Sequence, residues 1–441
     1  MPSRTRLTED SPAPRPPEAP GDGLAAVPVQ AHRLRRMAGR DPHEHHRAAT
    51  PLELLFDLTF VVAAATAAAE FAHALAANHV GPGLLGFVFA TFAIALAWIN
   101  FSWFASAYDT DDWVYRLATM TQMVGVMILA LGVPRLFASI QEGNHVDSLV
   151  MVSGYVVMRV ALVAQWVRAA RQDPARRATC LTYVGYITVA QVGWVALALA
   201  QRSVRGMFLG VAVLLVIELA GPRFAERRRG GTPWHAHHIA ERYSALIIIA
   251  LGEGVVGTVA SLGAAVGEQG WTVDAVLVAV AGTGLTFAMW WMYHALPLAH
   301  LLDEHRDRSF VFGYLNIVVF GAIVAIGAGM HAAAYYIEDH SDLQPAETVL
   351  AVAVPVAVFA AAVYAMYSLL VRGWQPVQLL LIILTGTALA ASVACAAAGL
   401  SIGGCLLIVM LAPVVSVVGF ETVGHRRIAE AVGAGSSTND R

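Results

Sequence analysis

Residues 52–61 read Leu52-Glu53-Leu54-Leu55-Phe56-Asp57-Leu58-Thr59-Phe60-Val61, an apolar segment that carries two acidic side chains four positions apart. The apolar character continues to residue 77, far enough for a helix to cross the hydrocarbon core of a bilayer. A carboxylate near the centre of such a helix costs roughly 2.5–3.5 kcal/mol on insertion scales, so it is normally paired, hydrated or used in function. The stretch therefore predicts a membrane helix and makes Glu53 and Asp57 candidate functional residues.

The composition of the whole chain is that of a membrane protein. Of its 441 residues, 57% are hydrophobic and only 13% are charged. Repeated apolar runs of about 20 residues in such a chain are typical of a polytopic helical membrane protein and exclude a soluble enzyme. We predict an all-α transmembrane bundle of twelve spans. The predicted spans cover residues 52–77, 82–107, 114–134, 149–167, 178–200, 204–220, 239–262, 273–297, 310–331, 348–371, 375–397 and 401–423.

The arginines predict how the chain is oriented, because short arginine-rich loops stay on the cytoplasmic side during insertion. All 28 basic residues are arginine. With the N-terminus inside, the inner loops and tails hold most of them, and the opposite loops hold only Arg135, Arg202 and Arg205. We therefore expect both termini in the cytoplasm. The formal net charge of −3 gives no basis for binding nucleic acid.

A weak internal repeat organises the chain. Glu53 and Glu241 each open a span, and residues 98–101 and 290–293 each end one with aromatic side chains. Equivalent positions lie six spans apart, so a 6+6 duplication would relate two parallel halves by an axis along the membrane normal. The alternative is that membrane helices in general share such ends. The predicted parts are a disordered cytoplasmic tail (1–48), a first half (49–222), an arginine-rich cytoplasmic loop (223–238), a second half (239–424) and a cytoplasmic tail (425–441).

Four blocks of sequence, in order, are similar to a known family. They are residues 51–58 (PLELLFDL), residues 98–104 (WINFSWF), residues 108–112 (YDTDD) with Arg116, and residues 238–253, which begin HIAER and end ALGE. Together they resemble the bacterial low temperature requirement A family over residues 51–293. The resemblance implies a multi-pass protein of the bacterial inner (plasma) membrane. It implies little about chemistry, because the activity of that family is poorly defined. Residues 301–308 are more acidic than the family pattern, which leaves room for a specialised activity.

Three aspartates follow the second predicted span. Asp109, Asp111 and Asp112 lie close together at the inner face, and carboxylates this close repel unless a cation neutralises them. Arg116 is one such partner, and Mg²⁺ that bridges to a substrate phosphate is another. Alternatively, one crowded carboxyl stays protonated and acts as an acid catalyst, or the acids only cap the next helix. The aromatic side chains expected to face a substrate are Trp98, Phe101, Trp103 and Tyr108.

A second acidic loop follows the eighth predicted span on the same side. Two acidic clusters that flank a cavity resemble, in architecture only, the Asp-rich loops by which intramembrane prenyltransferases hold Mg²⁺. The spacing differs from those motifs, and Arg306 and Arg308 also fit a solvated loop. The predicted ligands of Mg²⁺, the one cofactor that the sequence suggests, are Asp109, Asp111, Asp303 and Asp307.

Glu53 and Asp57 share one face of the first helix, because they are one turn apart. Such a pair is suited to bind a cation, relay a proton or pair with an arginine of another span. Arg159 is the expected partner, since it lies in the middle of the fourth span, where an unpaired guanidinium is costly. The pair is then either a structural ion pair or a coupling site.

Glu253 is the acid best suited to transport. It lies halfway along the seventh span between Gly252 and Gly254, whose small size permits close helix approach or local unwinding around a ligand. A carboxylate there can alternate between charged and protonated states, and the other reading is a protonated packing acid. Arg242 precedes it by about three turns of the same helix and does not reach it.

These patterns favour a secondary transporter or permease in the lipid bilayer, with a small-molecule or lipid substrate and a proton or another cation as the coupling ion. The alternative is a membrane-embedded enzyme, a cyclase or a prenyl transferase, that acts on an isoprenoid or lipid diphosphate through Asp109, Asp111 and Asp112. A structural or stress-related role is the third reading. The predicted transport or coupling residues are Glu53, Asp57, Arg159, Glu241, Arg242 and Glu253.

Overall fold

The computed structural model describes residues 34–44, 47–143, 145–200, 203–228, 230–267, 270–371 and 376–424. Within these ranges the chain is helical and contains no β-strand. The predicted tails fall largely outside them, at residues 1–33 and 425–441. The helices are α1 (Pro51–Ala76), α2 (Val80–Tyr108), α3 (Trp113–Glu142), α4 (Leu149–Gln172), α5 (Arg177–Leu199), α6 (Val204–Glu226), α7 (Ala236–Val266), α8 (Val273–His294), α9 (Leu298–Glu304), α10 (Ser309–Ile337), α11 (Pro345–Val371), α12 (Pro376–Ala397) and α13 (Ile402–Gly419).

Twelve helices in the described part of the chain are long and apolar enough to cross a membrane, as the sequence predicts. They are α1–α8 and α10–α13, and the short helix α9 follows α8 without spanning the bilayer. Large apolar side chains such as Leu131, Val216 and Phe287 remain exposed on the outer faces. This is expected where lipid surrounds the bundle, because lipid tails are as apolar as these side chains.

Helix α1 contacts helices from both the early and the late part of the chain. It packs against α2 and α3 of the first half and against α7 and α10 of the second half. Its inward face is lined by small, buried side chains, which let neighbouring membrane helices approach closely. They are Ala63, Ala64, Ala67 and Ala68. The acidic residues at the start of α1 are therefore carried to the place where the two halves meet.

Glycines bring α3 and α4 into backbone contact. A Cβ atom on Gly132 would lie 2.4 Å from the backbone nitrogen of Met151, and one on Gly154 would lie 2.4 Å from that of Leu129. Only a residue without a side chain allows this approach. The first half is thus held together by close packing along most of this helix pair.

The two halves share an order of neighbours. In the first six and in the last six spans alike, the first packs against the second and third, the third against the fourth, the fourth against the fifth and the fifth against the sixth. Other contacts have no counterpart, such as the packing of α8 against α13. The 6+6 duplication therefore stays a prediction.

Residues 34–44 and 47–50 form a non-helical segment that crosses the end of the bundle where α2 ends and α3 begins. We call this segment the N-terminal strap and this end the inner end. The Arg40 amide donates to the Ala107 carbonyl at 3.0 Å, and the Arg47 guanidinium donates to the Ala105 carbonyl at 2.7 Å. Met37 is fully buried. The sequence predicts a disordered tail up to residue 48, whereas the described part of that tail packs on the helix ends through these contacts.

Candidate functional site

The start of α1 fixes the orientation of Glu53. Thr50 caps the helix, because its hydroxyl accepts a hydrogen bond from the Glu53 amide at 3.3 Å. Glu53 Oε2 accepts in return from the Thr50 amide at 2.8 Å. This reciprocal capping box satisfies two backbone donors that a helix end otherwise leaves free. It also holds the Glu53 carboxylate at a defined place in the first turn.

Arg242 of α7 lies between the two acids of α1. Its Nη1 is 2.9 Å from Glu53 Oε1, and its Nη2 donates to Asp57 Oδ1. All three side chains are fully buried. Trp98 of α2 donates from Nε1 to the same Asp57 oxygen at 2.6 Å, and its ring lies 5.5 Å from the guanidinium carbon. Three helices from both halves thus meet in one charged cluster.

His238 completes this cluster. It lies one turn before Arg242 on α7, and its Nε2 is 3.2 Å from Glu53 Oε1. The histidine is itself buried, and its Nδ1 has no hydrogen-bond partner among the described residues. Asp57 Oδ2 also lacks such a partner. We call Glu53, Asp57, His238 and Arg242 the inner cluster.

The charges of the inner cluster do not cancel. Two carboxylates face one guanidinium, which leaves one negative charge when His238 is neutral. The neighbouring Arg47 and Asp109 both interact with Glu53, and their own charges are opposite. A buried, uncompensated charge is costly, so the cluster favours the uptake of one proton or one monovalent cation. The unpaired atoms of Asp57 and His238 are the places where a proton can reside.

Arg159 does not provide the expected partner for Glu53 and Asp57. It pairs with Glu218 of α6, with 2.7 Å between Nη2 and Oε2, and both side chains are buried. Tyr155 accepts a hydrogen bond from Arg159 at 2.8 Å, and Trp194 donates to Glu218 at 3.3 Å. This second pair is balanced in charge. The prediction that Arg159 neutralises the acids of α1 is therefore wrong, because α6 supplies a nearer acid.

The three aspartates after α2 have separate partners. Asp111 pairs with Arg116 at 2.8 Å, as the sequence suggests. Asp112 caps α3 through the Tyr115 amide at 2.9 Å and accepts a 3.0 Å hydrogen bond from Arg168. Burial alone would raise the pKa of Asp112, but these hydrogen bonds and one from the Arg35 amide outweigh it and lower the pKa to about 2.

Asp109 has a different environment, because it is buried under the N-terminal strap. Its nearest cation is Arg40, at 3.8 Å. Burial, followed by the charge of Glu53, raises the pKa of Asp109 to about 6. Among the described residues, no group of three or more His, Cys, Asp or Glu side chains is arranged to hold a metal ion. The Mg²⁺ site at Asp109, Asp111, Asp303 and Asp307 stays a prediction, because these four carboxylates do not form such a group among the described residues.

The aromatic side chains of the second span lie in the packed interior. Phe101 contacts the ring of Phe56, with ring centroids 4.0 Å apart. Trp103 lies 3.4 Å from the Tyr243 hydroxyl, and Tyr108 is buried beside Cys180. Of the four predicted substrate-facing aromatics, Trp98 is the one that contacts the inner cluster through a hydrogen bond.

A polar cavity opens at the inner end between the N-terminal strap and the start of α7. Its volume is about 680 Å³. Glu241 and Asp303 line it together with His43, Arg47 and His235. Asp303 also pairs with Arg306 at 3.3 Å, whereas Asp307 is exposed in the turn that follows.

His235 forms the floor of this cavity next to the inner cluster. It caps α7, because its Nδ1 accepts from the His238 amide at 3.2 Å, and its Nε2 donates to the Glu44 carbonyl at 2.7 Å. Burial lowers the pKa of His235. The ring is therefore held neutral one turn from His238.

Glu253 lies in α7, well separated from the inner cluster. Its Oε1 is 3.6 Å from Nε2 of His331 on α10, a residue that sequence reasoning missed. A Cβ atom on Gly327 would lie 2.6 Å from Glu253 Cγ, so the glycine makes space for this side chain. A Cβ atom on Gly252 would have open space around it, whereas one on Gly254 would lie 3.3 Å from Thr286 Oγ1.

The comparisons with known proteins agree with this architecture. The family described as Bacterial low temperature requirement A protein (LtrA) matches residues 48–413. The chain belongs to the LtrA family. An uncharacterised protein of Rhizobium meliloti (strain 1021) is similar to this LtrA member, with 26% identity over 292 residues, which are 63% of this chain and 67% of that protein. No solved structure matches the chain. The inner cluster, Glu253 and His331 all lie within the part that the LtrA family covers.

Proposed function

We propose that this LtrA family member is a secondary transporter that couples movement of its substrate to one proton or monovalent cation at the inner cluster. The main observation behind this proposal is the charge imbalance of that cluster, in which the buried carboxylates of Glu53 and Asp57 share the guanidinium of Arg242. In the proposed cycle the site has two states, one with the ion bound and one without it. Coupling requires such a pair of states.

The position of the cluster supports this function. Glu53 and Asp57 belong to the first half and Arg242 to the second, so any relative movement of the halves changes their distances. Transporters built from two halves commonly bind substrate and coupling ions at that interface and alternate access by moving one half against the other. The bound proton would then strengthen or weaken the contact between α1 and α7.

The polar cavity supports access from the inner end. Arg47, Glu241 and Asp303 line it, and His235 separates it from His238. Protons would enter the inner cluster from water in this cavity past His235, whose two ring nitrogens are both held by backbone groups. On the arginine distribution we propose that the inner end is cytoplasmic and that the protein resides in the inner membrane.

The test is charge displacement in reconstituted vesicles, measured by solid-supported membrane electrophysiology after jumps of pH or Na⁺. We expect a transient current in the wild type and only background current in Asp57→Asn. This variant keeps the acceptor for Trp98 and leaves Glu53 and Arg242 as a neutral pair, so it should fold. Glu142→Gln removes an exposed carboxylate at the end of α3 and is the matched control. Wild-type current in Asp57→Asn would remove the inner cluster as the coupling site.

The enzyme alternative has weaker support in the geometry. Asp111 and Asp112 are each engaged by an arginine, and Asp112 also caps α3. Both carboxylates are therefore neutralised by arginines of the protein itself, without a diphosphate or a metal ion.

A further inference from the structure

A second group of titratable side chains lies in the outer half of the bundle, away from the inner cluster. Glu253 of α7 and His331 of α10 form its core, 3.6 Å apart. Their side chains are 10% and 23% exposed, so the carboxylate is largely enclosed and the imidazole is the more accessible partner. No other described residue forms an ion pair with Glu253 within 4.0 Å.

From His331 the group continues toward the outer end. Tyr335 lies one turn further along α10, on the same face. Its ring stacks on His73 of α1 at a centroid distance of 5.2 Å, and its hydroxyl lies 3.5 Å from His73 Nε2. His73 is exposed at the end of α1, and Glu70 lies one turn before it. His331, Tyr335 and His73 therefore form a series from Glu253 to the outer surface, in which His331 and Tyr335 are one helical turn apart.

Helix geometry relates the pair to the outer end. At 1.5 Å per residue, His331 is about 9 Å from the last residue of α10, and Glu253 is about 16 Å from Arg242 along α7. The alanine face of α1 fills much of the intervening distance. The pair is thus separated from the inner cluster, and His331 is the member that lies closer to the opposite surface.

Few other ionisable groups face this region. The outer halves of α1, α7, α8, α10 and α11, which pack around the pair, carry a small number of acidic, histidine and tyrosine side chains in the described chain. They are Glu70, His73, Glu253, Asp274, His331, Tyr335, Tyr336 and Glu347.

We infer that Glu253 and His331 form a second proton-binding site, loaded from the outer side through His73 and Tyr335. This rests on the proposed function, in which the inner cluster exchanges its ion with the other side. In the unloaded state the Glu253 carboxylate is charged and His331 is neutral. One proton from outer water passes along His73 and Tyr335, each of which releases one proton as it receives one, and neutralises Glu253 through His331. The net change is one proton bound to the pair.

The test is infrared difference spectroscopy of the protein in lipid films, which detects the carbonyl band of a protonated carboxyl group. We expect a pH-dependent band that is lost in Glu253→Gln and shifted in Glu253→Asp. If Glu253→Gln does not fold, the shift in Glu253→Asp provides the assignment. A difference spectrum that is the same in wild type and both variants would overturn the site.

The path is tested by the rate of protonation in sealed vesicles after a pH jump on the side that carries His73. We expect His73→Ala and His331→Gln to slow the appearance of the carboxyl band on the order of 100-fold, as removal of a proton-transfer group does elsewhere. His340→Gln, an exposed histidine near the same end, should have the wild-type rate. Wild-type rates in both path variants would overturn the route. Neither measurement requires transport, so a negative result here is distinct from unchanged currents in Asp57→Asn.

Discussion

Arg242 is the residue on which the inner cluster depends most. It neutralises one of two buried carboxylates, and its guanidinium also lies over the rings of Trp98 and Phe101, at 5.5 Å and 6.0 Å. Without it, Glu53 and Asp57 would face each other in an interior of low polarity. The arginine therefore stabilises the fold, while the acid left in excess provides the ion-binding capacity.

The same charge balance predicts that two substitutions in the inner cluster differ in their effect on stability. Arg242→Gln should destabilise the protein by about 3–5 kcal/mol, because it removes the guanidinium that contacts both buried carboxylates. Asp57→Asn should leave the thermal midpoint close to that of the wild type, because it leaves a neutral pair. Thermal unfolding in detergent measures both. Equal losses of stability in the two variants would show that the cluster does not carry an excess negative charge.

The stability of the folded protein should depend on pH through Asp109, and the burial of this carboxyl determines the direction of the change. Because its pKa is raised from 3.8 to about 6, the folded protein binds this proton more tightly than the unfolded chain does. The contribution to stability is fully present below pH 4 and is lost as the pH rises through 6. We expect Asp109→Asn to remove this loss, so that its thermal midpoint exceeds that of the wild type at pH 7 and matches it at pH 4. Asp111→Asn, which removes an exposed carboxylate two residues away, should keep the wild-type pH profile.

At the scale of elements, the packing of α3 on α4 depends on glycine. The two helices are joined where a side chain on Gly132 or Gly154 would overlap backbone atoms. Because backbone cannot rotate away as a side chain does, any added atom must separate the helices.

We expect Gly132→Ala to destabilise the protein by about 1–3 kcal/mol, the usual cost of overpacking. Gly185→Ala is the matched control, because Gly185 lies in the interior of α5 with open space around it. Alanine there should stabilise the helix by up to about 1 kcal/mol. Thermal unfolding of the two variants in the same detergent gives the comparison, and a neutral Gly132→Ala would contradict the close packing of α3 on α4.

At the scale of the whole molecule, the sequence predicts the spans well and the contacts between them poorly. Twelve apolar runs could be recognised because each membrane helix must form its own backbone hydrogen bonds and present apolar side chains to the lipid. The partner of Asp57 could not, since pairing depends on the order of helices around the bundle. Arg159 and Arg242 are both arginines within spans, and only the arrangement of α1 beside α7 decides between them. Glu218 and His331 could be recognised as polar residues in apolar runs, but the sequence did not indicate that they pair with Arg159 and Glu253.

The N-terminal strap and the alanine face of α1 are two further cases in which the sequence does not predict the contacts. Met37 and Arg40 lie in a segment whose composition predicts disorder, and they are ordered by contacts with residues far along the chain, such as Gln172. Local composition does not encode such contacts. The alanines of α1 are compatible with any tightly packed neighbour, so they predict burial without predicting which helices pack there.

The distance in sequence between Asp57 and Arg242 affects how the protein is made. They are 185 residues apart, and a ribosome that adds about 5–20 residues per second needs roughly 10–40 s to travel from one to the other. During that interval α1 has emerged with two acids and no arginine to neutralise them. It must enter the bilayer protonated or wait beside the insertion machinery until α7 arrives. A nascent chain that stops after α6 therefore carries both acids of α1 without the arginine that pairs with them in the folded protein.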